Sequence, residues 1–380
     1  MDHNDPALQR LIDRVNTARE AGAQLCIRGG GSKDFYGETP HGDVLDTRVL
    51  EGTSSYEPTE LVVTTRCGTS LADLEALLAT KGQCLPFEPP HFAYSKEAAN
   101  LSAKHRGATV GGMVAAGLSG PSRAAVGAVR DYVLGATMLN GRGEVLSFGG
   151  QVMKNVAGYD VSRLLAGSLG TLGVILEVSL KVMPMAPATV TLRMEMDQAS
   201  ALAKLNDWGG QPIPLNASAW WDGNLIVRLR GALAAVQAAR VRLGGEIVEP
   251  EFAGPFWAGL RDHTDEFFAA AQRAVETAVG NGASLWRLSV PQTAPVLALT
   301  GELMVEWGGA QRWLCSALPA SAVRDAALQV GGHATLFNAR DKSSGVFAPL
   351  RSPLDRIHRD VKKSFDPSGI FNPGRLYPGL

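Results

Sequence analysis

The chain has no excess of charge of either sign and no long apolar run. Its 36 Lys and Arg residues are balanced by 37 Asp and Glu, for a formal net charge of −1. Nucleic-acid-binding proteins and proteins of anionic membrane surfaces carry a basic excess, so neither class is indicated. No run of about 18 apolar residues occurs, and the polar start MDHNDPALQR does not resemble a signal peptide. We therefore expect a soluble cytoplasmic protein without a membrane span.

Cysteine is scarce as well. The four cysteines, Cys26, Cys67, Cys84 and Cys315, lie far apart and form no Cys-x-x-Cys pair. This spacing argues against a disulfide framework, and also against a zinc ion or an iron–sulfur cluster held by this chain alone. We expect no metal site.

Glycine, in contrast, is abundant and unevenly placed. Of the 43 glycines, 15 fall within the 67 residues from Gly107 to Gly173, and three follow one another at 29–31 in IRGGGSKDFYG. Consecutive glycines after a strand can present backbone N–H groups to a phosphate. Two common phosphate loops are excluded, because no Gly-Lys pair exists for a P-loop and Asp34 stands where a Rossmann loop needs its third glycine.

Periodicity predicts the elements around these loops. The apolar spacing of residues 7–18 predicts a helix, AQLCIR predicts a strand and ELVVTTRC another. Ser70 and Asp73 mark the start of a helix in SLADLEALLATKG, and Gly82 marks its end. DYVLGATMLNGRGEVLSF predicts a hairpin, and GTLGVILEVSLKVMP predicts a long buried strand that ends at Pro184.

The pattern changes after residue 184. Strands such as TLRMEM, LIVRLR and LWRLSV alternate with Ala-rich helices, which predicts an α+β sheet with helices on one face. The last residues, FDPSGIFNPGRLYPGL, return to the Pro/Gly-rich style of the first part. We therefore predict a first domain over 1–184, a second over 185–345, and a tail over 346–380 that returns to the first domain.

Four ordered motifs carry a resemblance to a known family. They are IRGGGSK, GATVGGMVAAGLSGPSR, KNVAGYDVSRLLAGSLGTLGVILEVSLKV and FDPSGIFNPGR. Together they resemble the vanillyl-alcohol oxidase/p-cresol methylhydroxylase (PCMH) type of flavoprotein. The resemblance implies an α+β protein with a two-part PCMH-type FAD-binding domain and a smaller α+β cap domain with an antiparallel sheet. VEWGGAQRWL and the short second domain are similar to the FAD-binding subunits of bacterial glycolate oxidase complexes.

The resemblance also implies which residues hold the FAD. The loop 28–33 would wrap the pyrophosphate, 108–112 and 117–120 would line the pyrophosphate and the flavin ring, and 173–175 would meet the adenine and ribose side. The predicted cofactor-binding residues are Arg28, Gly29, Gly30, Gly31, Ser32, Lys33, Ala108, Thr109, Val110, Gly111, Gly112, Gly117, Ser119, Gly120, Gly173, Val174 and Ile175.

Two further expectations follow from that resemblance. Relatives that attach FAD covalently use a histidine in an Arg-Ser-Gly-Gly-His loop, whereas Ser32 stands at that position here, so we expect non-covalent FAD. Relatives that oxidise D-2-hydroxy acids use two histidines in a Gly-His-x-Gly-Asp-Gly-Asn-x-His segment. The matching stretch, GHATLFNAR, keeps His333 but has Arg340 at the second position and lacks the Gly-Asp-Gly turn.

The catalytic residues are therefore left open, with His333 and Arg340 as weak candidates. Arg340, Arg312 and Lys342 could bind a carboxylate, but we interpret them as solvated surface charges. We expect an FAD-binding subunit that supports oxidation of a small 2-hydroxy acid such as glycolate. Its partners would be a catalytic flavoprotein subunit of similar fold and an iron–sulfur subunit, with any contact to the inner membrane made through the complex. A self-sufficient FAD dehydrogenase of another hydroxy acid or alcohol, and a flavin-binding assembly scaffold without turnover, are the alternatives.

Overall fold

The computed structural model describes residues 5–92, 107–150, 159–277 and 282–380. Up to Pro184, the helices and strands in chain order are α1 (Pro6–Ala21), β1 (Leu25–Arg28), β2 (Asp43–Asp46), β3 (Thr53–Glu57), β4 (Val62–Arg66), α2 (Leu71–Ala79), β5 (Gln83–Cys84), α3 (Val110–Ala116), α4 (Arg123–Val126), β6 (Val133–Leu139), β7 (Val145–Gly149), α5 (Val161–Leu164), β8 (Val174–Lys181) and β9 (Met183–Pro184). After it they are β10 (Ala188–Glu195), α6 (Gln198–Gly209), β11 (Leu215–Trp221), β12 (Asn224–Gly231), α7 (Leu233–Leu243), β13 (Glu246–Val248), α8 (Pro250–Asp262), α9 (Glu266–Thr277), β14 (Ser284–Ser289), β15 (Glu302–Glu306), β16 (Gln311–Ser316), α10 (Ala320–Gln329), β17 (His333–Asn338) and α11 (Leu354–Phe365).

The first two long helices form where the sequence predicts them. Asp5 caps α1, since its Oδ1 accepts the backbone N–H of Ala7 at 2.8 Å, and Gly22 ends that helix with a φ of 64°. Ser70 caps α2 by accepting the N–H of Asp73. The apolar faces of both helices are buried in the core of the N-terminal half, where burial of apolar surface stabilises them.

The N-terminal half contains a five-stranded antiparallel sheet, the first sheet, in the order β3-β4-β8-β6-β7. The predicted hairpin is its β6–β7 pair, and the predicted buried strand is β8 at its centre. β1 and β2 form a separate parallel pair. The tail closes on this pair, because Phe371 bridges to Leu25 and the N–H of Asn372 donates to the Leu25 carbonyl at 2.9 Å.

The C-terminal half contains an eight-stranded antiparallel sheet, the large sheet, in the order β13-β10-β12-β11-β15-β16-β14-β17. Helices α6, α7 and α10 pack on its outer face, and α8 and α9 pack on its inner face. The predicted α+β class and the antiparallel sheet are confirmed. The expectation of helices on one face is wrong. Consecutive strand residues point to opposite faces, and Leu285 and Trp286 are both buried, one under the inner helices and one under the outer helices.

The inner face of the large sheet contacts the N-terminal half directly. The ring of Phe337 lies 5.5 Å from that of Phe35 and 5.3 Å from that of Tyr36, measured between centroids. Trp307 Nε1 donates to the carbonyl of Gly120 at 3.1 Å. The glycine-rich loops of the sequence analysis therefore lie beside this contact.

Candidate functional site

One cleft brings together the loop after β1, the start of α3 and the turn that precedes β8. Predicted cofactor-binding residues that line it are Arg28, Gly29, Gly30, Gly31, Ser32, Lys33, Thr109, Gly111, Gly112, Gly173 and Ile175. They come from three of the four sequence motifs. The beginning of the third motif, residues 154–158, lies outside the described residues.

The remaining predicted residues do not line this cleft. Ala108, Val110 and Val174 are at most 5% exposed and pack in the core. The reason is geometric, since successive residues of a strand or a helix point in different directions and a whole run cannot face one ligand. Gly117 ends α3 in the left-handed conformation, with a φ of 66°. Ser119 and Gly120 line a smaller cavity at the inner face of the large sheet.

Contact between two loops of the protein explains part of the glycine run. A Cβ on Gly29 would overlap the hydroxyl of Thr109, and a Cβ on Gly30 would overlap the carbonyl oxygen of Gly107. Gly31 has a φ of 77°, which favours glycine. Gly112 differs from these, because among the described residues its added Cβ would meet within 4 Å only Thr109 Oγ1, at 3.1 Å. The space beside Gly112 is open to a ligand.

The backbone of the loop offers donors to an anion. Among the described residues, the N–H groups of Gly30, Gly31 and Ser32 have no hydrogen-bond acceptor. Neighbouring N–H groups of this kind form a concave anion-binding surface. The glycine run therefore serves two purposes: close loop packing at Gly29 and Gly30, and exposed donors at the cleft.

The charged side chains that line the cleft are predominantly cationic. They are Arg28, Lys33 and Arg375 against a single Asp34, a formal excess of two positive charges. Arg28 pairs with Asp34 at 2.6 Å. Burial lowers the pKa of Lys33 to about 8, with Asp262 opposing the shift, and its Nζ donates to Ser32 Oγ at 3.3 Å. A dianion would neutralise this excess.

The tail supplies two site residues that the sequence analysis did not assign. Asn372 Oδ1 accepts the N–H of Ile27 at 2.7 Å, and its Nδ2 donates to the carbonyl of Leu169 at 2.6 Å. Arg375 donates to the carbonyls of Asp34 at 3.0 Å and Lys33 at 3.3 Å. These contacts hold the glycine loop in place, and the FDPSGIFNPGR motif was their sequence signal.

An aromatic chamber of about 250 Å³ adjoins the cleft and shares Gly31, Ser32 and Asp34 with it. Its other walls include Phe92, Phe337 and His263, which stacks on Phe268 with 3.7 Å between ring centroids. Burial, assisted by Arg287, lowers the pKa of His263 to about 3, so this imidazole is neutral near pH 7. The charged side chains in its lining are Asp34 and Asp262, which pair with Arg28 and Arg261.

Arg287 and Glu306 lie beside the chamber and line the smaller cavity with Ser119 and Gly120, as do Arg261 and His263. Arg287 donates to the Tyr36 hydroxyl at 3.1 Å and lies over its ring. Burial raises the pKa of Glu306 to about 7, although Trp313 and Gln311 both donate to its Oε2. Sequence reasoning missed Arg287 because nothing in LWRLSV distinguishes it from a surface arginine.

The structure does not bring the weak catalytic candidates to the cleft. His333 is exposed at the first residue of the edge strand β17. Asn338, at the other end of that strand, lines the chamber, so His333 lies roughly 17 Å away at about 3.3 Å per residue. Arg340 is exposed beyond the end of the strand.

Two predicted surface charges prove to be structural. Arg312 is fully buried, and its guanidinium donates to the carbonyls of Pro295 at 2.5 Å and Ala294 at 2.6 Å. Lys342 Nζ donates to the carbonyls of Phe35 and Gly37, both at 2.7 Å. The interpretation as solvated charges is wrong for Arg312 and for the half-buried Lys342, because both side chains donate hydrogen bonds to backbone carbonyls.

Neither a metal centre nor a membrane segment is seen in the described ranges. No group of three or more His, Cys, Asp or Glu side chains there is placed to hold a metal ion. No helix in these ranges is long and apolar enough to cross a bilayer.

Comparison with known proteins agrees with the FAD that the sequence motifs led us to expect. The profile of the FAD binding domain family matches residues 8–149. The chain is 45% identical over 372 residues to glycolate oxidase subunit GlcE of Escherichia coli (strain K12), covering 98% of each protein. It is 28% identical over 196 residues to glycolate oxidase subunit GlcD of Bacillus subtilis (strain 168), covering 51% of this chain and 39% of that protein.

A solved structure shows the same fold at low sequence identity. Alkyldihydroxyacetonephosphate synthase superimposes with a TM-score of 0.60 and 16% identity, over 96% of this chain and 75% of that one. The likeness extends through the large sheet as well as the FAD-binding region.

Proposed function

The chain belongs to the family of glycolate oxidase subunit GlcE, and we propose that it is the FAD-holding subunit of a complex that oxidises glycolate or a similar 2-hydroxy acid. FAD, when bound, supplies the hydride acceptor for such an oxidation. We also propose the division into an FAD-binding domain (1–184), a cap (185–345) and a returning tail (346–380). The pairing of the tail with β1 supports that division.

The cationic cleft is the observation that carries the proposal. Its formal excess of two positive charges matches the two negative charges of the FAD diphosphate. We assign the diphosphate to the N–H groups of Gly30, Gly31 and Ser32, with Arg28 and Lys33 as the nearby cations. The open side of Gly112 leaves room for the cofactor at the start of α3.

We propose that the FAD is held without a covalent bond. Ser32 lines both the cleft and the aromatic chamber, so it stands where the two parts of the cofactor would meet. Its hydroxyl is hydrogen-bonded to Lys33 and offers no imidazole for a flavin linkage. The chamber is the space that we assign to the flavin side of the cofactor.

We propose that turnover needs partner subunits. The relative that covers the whole chain is itself named a subunit, and a second relative is the GlcD subunit, which supports a flavoprotein partner of similar fold. An iron–sulfur subunit is our proposal for the electron acceptor, because the cysteines of this sequence form no cluster motif. The four cysteines are free thiols, which suits a reducing cytoplasm, where we place the complex.

One observation favours the alternative of a self-sufficient dehydrogenase. A substrate carboxylate needs a cation near the flavin, and Arg287 donates to the Tyr36 hydroxyl and lines the same small cavity as Ser119 and Gly120. Against this reading, His333 and Arg340 lie away from the cleft. We therefore favour the subunit role.

The test of the cofactor proposal is the flavin content of the purified chain. We expect a yellow protein with about one FAD per chain, and we expect acid precipitation to release all of it into the supernatant. Flavin that stays with the precipitate would contradict non-covalent binding. A well-folded chain that neither retains nor takes up FAD would contradict the cofactor assignment.

A further inference from the structure

A second cavity, of about 470 Å³, lies on the inner face of the large sheet. It is enclosed by β10, β12 and β13 on one side and by α8 on the other. It shares no lining residue with the FAD cleft or with the aromatic chamber. Its volume lies within the range of about 300–1,000 Å³ that is typical of small-molecule sites. It is therefore large enough to bind a ligand of its own.

The polar wall of this cavity carries more positive than negative charge. Arg228 and Arg230 project from the same face of β12, and both bind Glu88, at 2.7 Å and 3.0 Å. Burial acts to raise the pKa of Glu88, but the two guanidiniums outweigh it and keep the pKa below the usual value, so Glu88 is ionised at neutral pH. Arg261 also lines the cavity and is neutralised by Asp262, at 2.7 Å. Glu88 neutralises one of the two positive charges of Arg228 and Arg230, so one positive charge remains unbalanced.

The two arginines also keep donors for a ligand. Arg228 is only 3% exposed, and it uses Nε on Asn216 Oδ1 at 2.7 Å and Nη2 on Glu88. In the part of the chain that the structure describes, its Nη1 has no acceptor, and neither have Nε and Nη2 of Arg230. Guanidinium N–H groups without an acceptor favour a charged acceptor such as a carboxylate, to which they can donate in pairs.

The opposite wall is apolar. It is formed by the side chains of Val248, Pro250, Ala253 and Trp257. A hydrocarbon chain or ring bound here would be removed from water, which is favourable in proportion to the area buried.

We propose that this cavity binds a small carboxylate that carries an apolar chain or ring. The carboxylate lies against Arg228 and Arg230, where it completes the charge balance that Glu88 leaves open. The apolar part lies along Val248 and Trp257. This site is separate from the FAD cleft and from the oxidation of the 2-hydroxy acid.

The test is calorimetric titration of the full, FAD-loaded chain with hexanoate. We expect saturable binding of one hexanoate, and at least tenfold weaker binding of acetate, which lacks the apolar chain. Arg230→Gln should weaken hexanoate binding at least tenfold. Arg193→Gln is the matched control, since Arg193 lies on neighbouring β10, pairs with Glu195 and does not line the cavity; its affinity should stay within twofold of the unmodified chain.

A second variant protects the test against a change of fold in Arg230→Gln. Gly254→Asp places a negative charge on α8 at the cavity wall, where an added Cβ would meet no described atom within 4 Å, and should also weaken hexanoate binding at least tenfold. Circular dichroism and FAD content should match the unmodified chain in both variants. Absence of saturable hexanoate binding, equal affinity in Arg230→Gln, or equally strong binding of hexylammonium would each overturn the proposal.

Discussion

Replacing Gly30 and Gly112 by alanine separates the two reasons for glycine in the cofactor loops. Both were predicted as cofactor contacts, and both line the cleft. A Cβ on Gly30 would overlap the backbone carbonyl oxygen of Gly107. Of the atoms that the structure describes, a Cβ on Gly112 would come within 4 Å of Thr109 Oγ1 alone, at 3.1 Å. Gly30→Ala should therefore damage the fold, whereas Gly112→Ala should damage FAD binding.

The expected magnitudes follow from these contacts. Overpacking against backbone costs about 1–3 kcal/mol of stability. Because the added Cβ overlaps a backbone oxygen, Gly30→Ala should lower the free energy of unfolding of the FAD-free chain by an amount at the upper end of that range. In a helix, alanine is favoured over glycine by roughly 0.5–1 kcal/mol, which offsets the tight contact with Thr109. The free energy of unfolding of FAD-free Gly112→Ala should thus stay within about 1 kcal/mol of the unmodified chain. Its FAD affinity should fall at least tenfold, or about 1.4 kcal/mol.

Two measurements on the FAD-free chain check this prediction. Thermal unfolding followed by circular dichroism should give a lower Tm for Gly30→Ala and nearly the same Tm for Gly112→Ala. Titration with FAD, followed by quenching of its fluorescence, should show the affinity loss in Gly112→Ala. Unchanged FAD affinity in Gly112→Ala would refute the placement of the cofactor at α3. An unchanged Tm in Gly30→Ala would refute the argument from loop packing.

Three further predictions concern the loop and the tail. Burial lowers the pKa of Lys33 to about 8, and a bound diphosphate would raise it. FAD affinity should therefore be constant below pH 8 and fall above it. In Lys33→Met the affinity should no longer fall above pH 8. Lys342→Met removes two hydrogen bonds to the carbonyls of Phe35 and Gly37, so amide exchange across residues 29–37 should accelerate and FAD should bind severalfold more weakly; unchanged exchange would contradict this role. Asp366→Ala breaks a buried ion pair with Lys362 at 2.6 Å and should lower the free energy of unfolding by about 3–5 kcal/mol. The variant should have a lower Tm, and an unchanged Tm would contradict the stabilising role of this pair.

The sequence predicted those features whose causes are local. The cap of α2 depends on Ser70 and the three residues after it, and the hairpin of β6 and β7 depends on one glycine-rich turn, so both were recognisable. The set of glycine loops was likewise recognisable as a group. Features that depend on distant residues were not. The contact of Gly30 with Gly107 joins residues far apart in the chain, and no local sequence pattern predicts it.

The misassigned residues show the same limit. Arg312 belongs to β16, an interior strand of the large sheet whose six residues are all buried, yet QRWLCS begins with two polar residues and gave no sign of burial. Val174 and Ile175 were assigned together, although neighbouring strand residues point to opposite faces and only Ile175 reaches the cleft. Asn372 and Arg375 come from a Pro/Gly-rich tail without periodicity, so their positions required the fold.

Anaerobic mixing of the FAD-loaded chain with glycolate tests the central claim most directly. The claim is that this chain holds FAD as a subunit and does not oxidise the hydroxy acid by itself. The flavin absorbance should change little when the isolated chain meets glycolate or D-lactate. It should bleach rapidly with glycolate once the partner subunits are added. Full bleaching by glycolate within seconds in the isolated chain, lost in Arg287→Gln, would contradict the claim and establish a self-sufficient dehydrogenase.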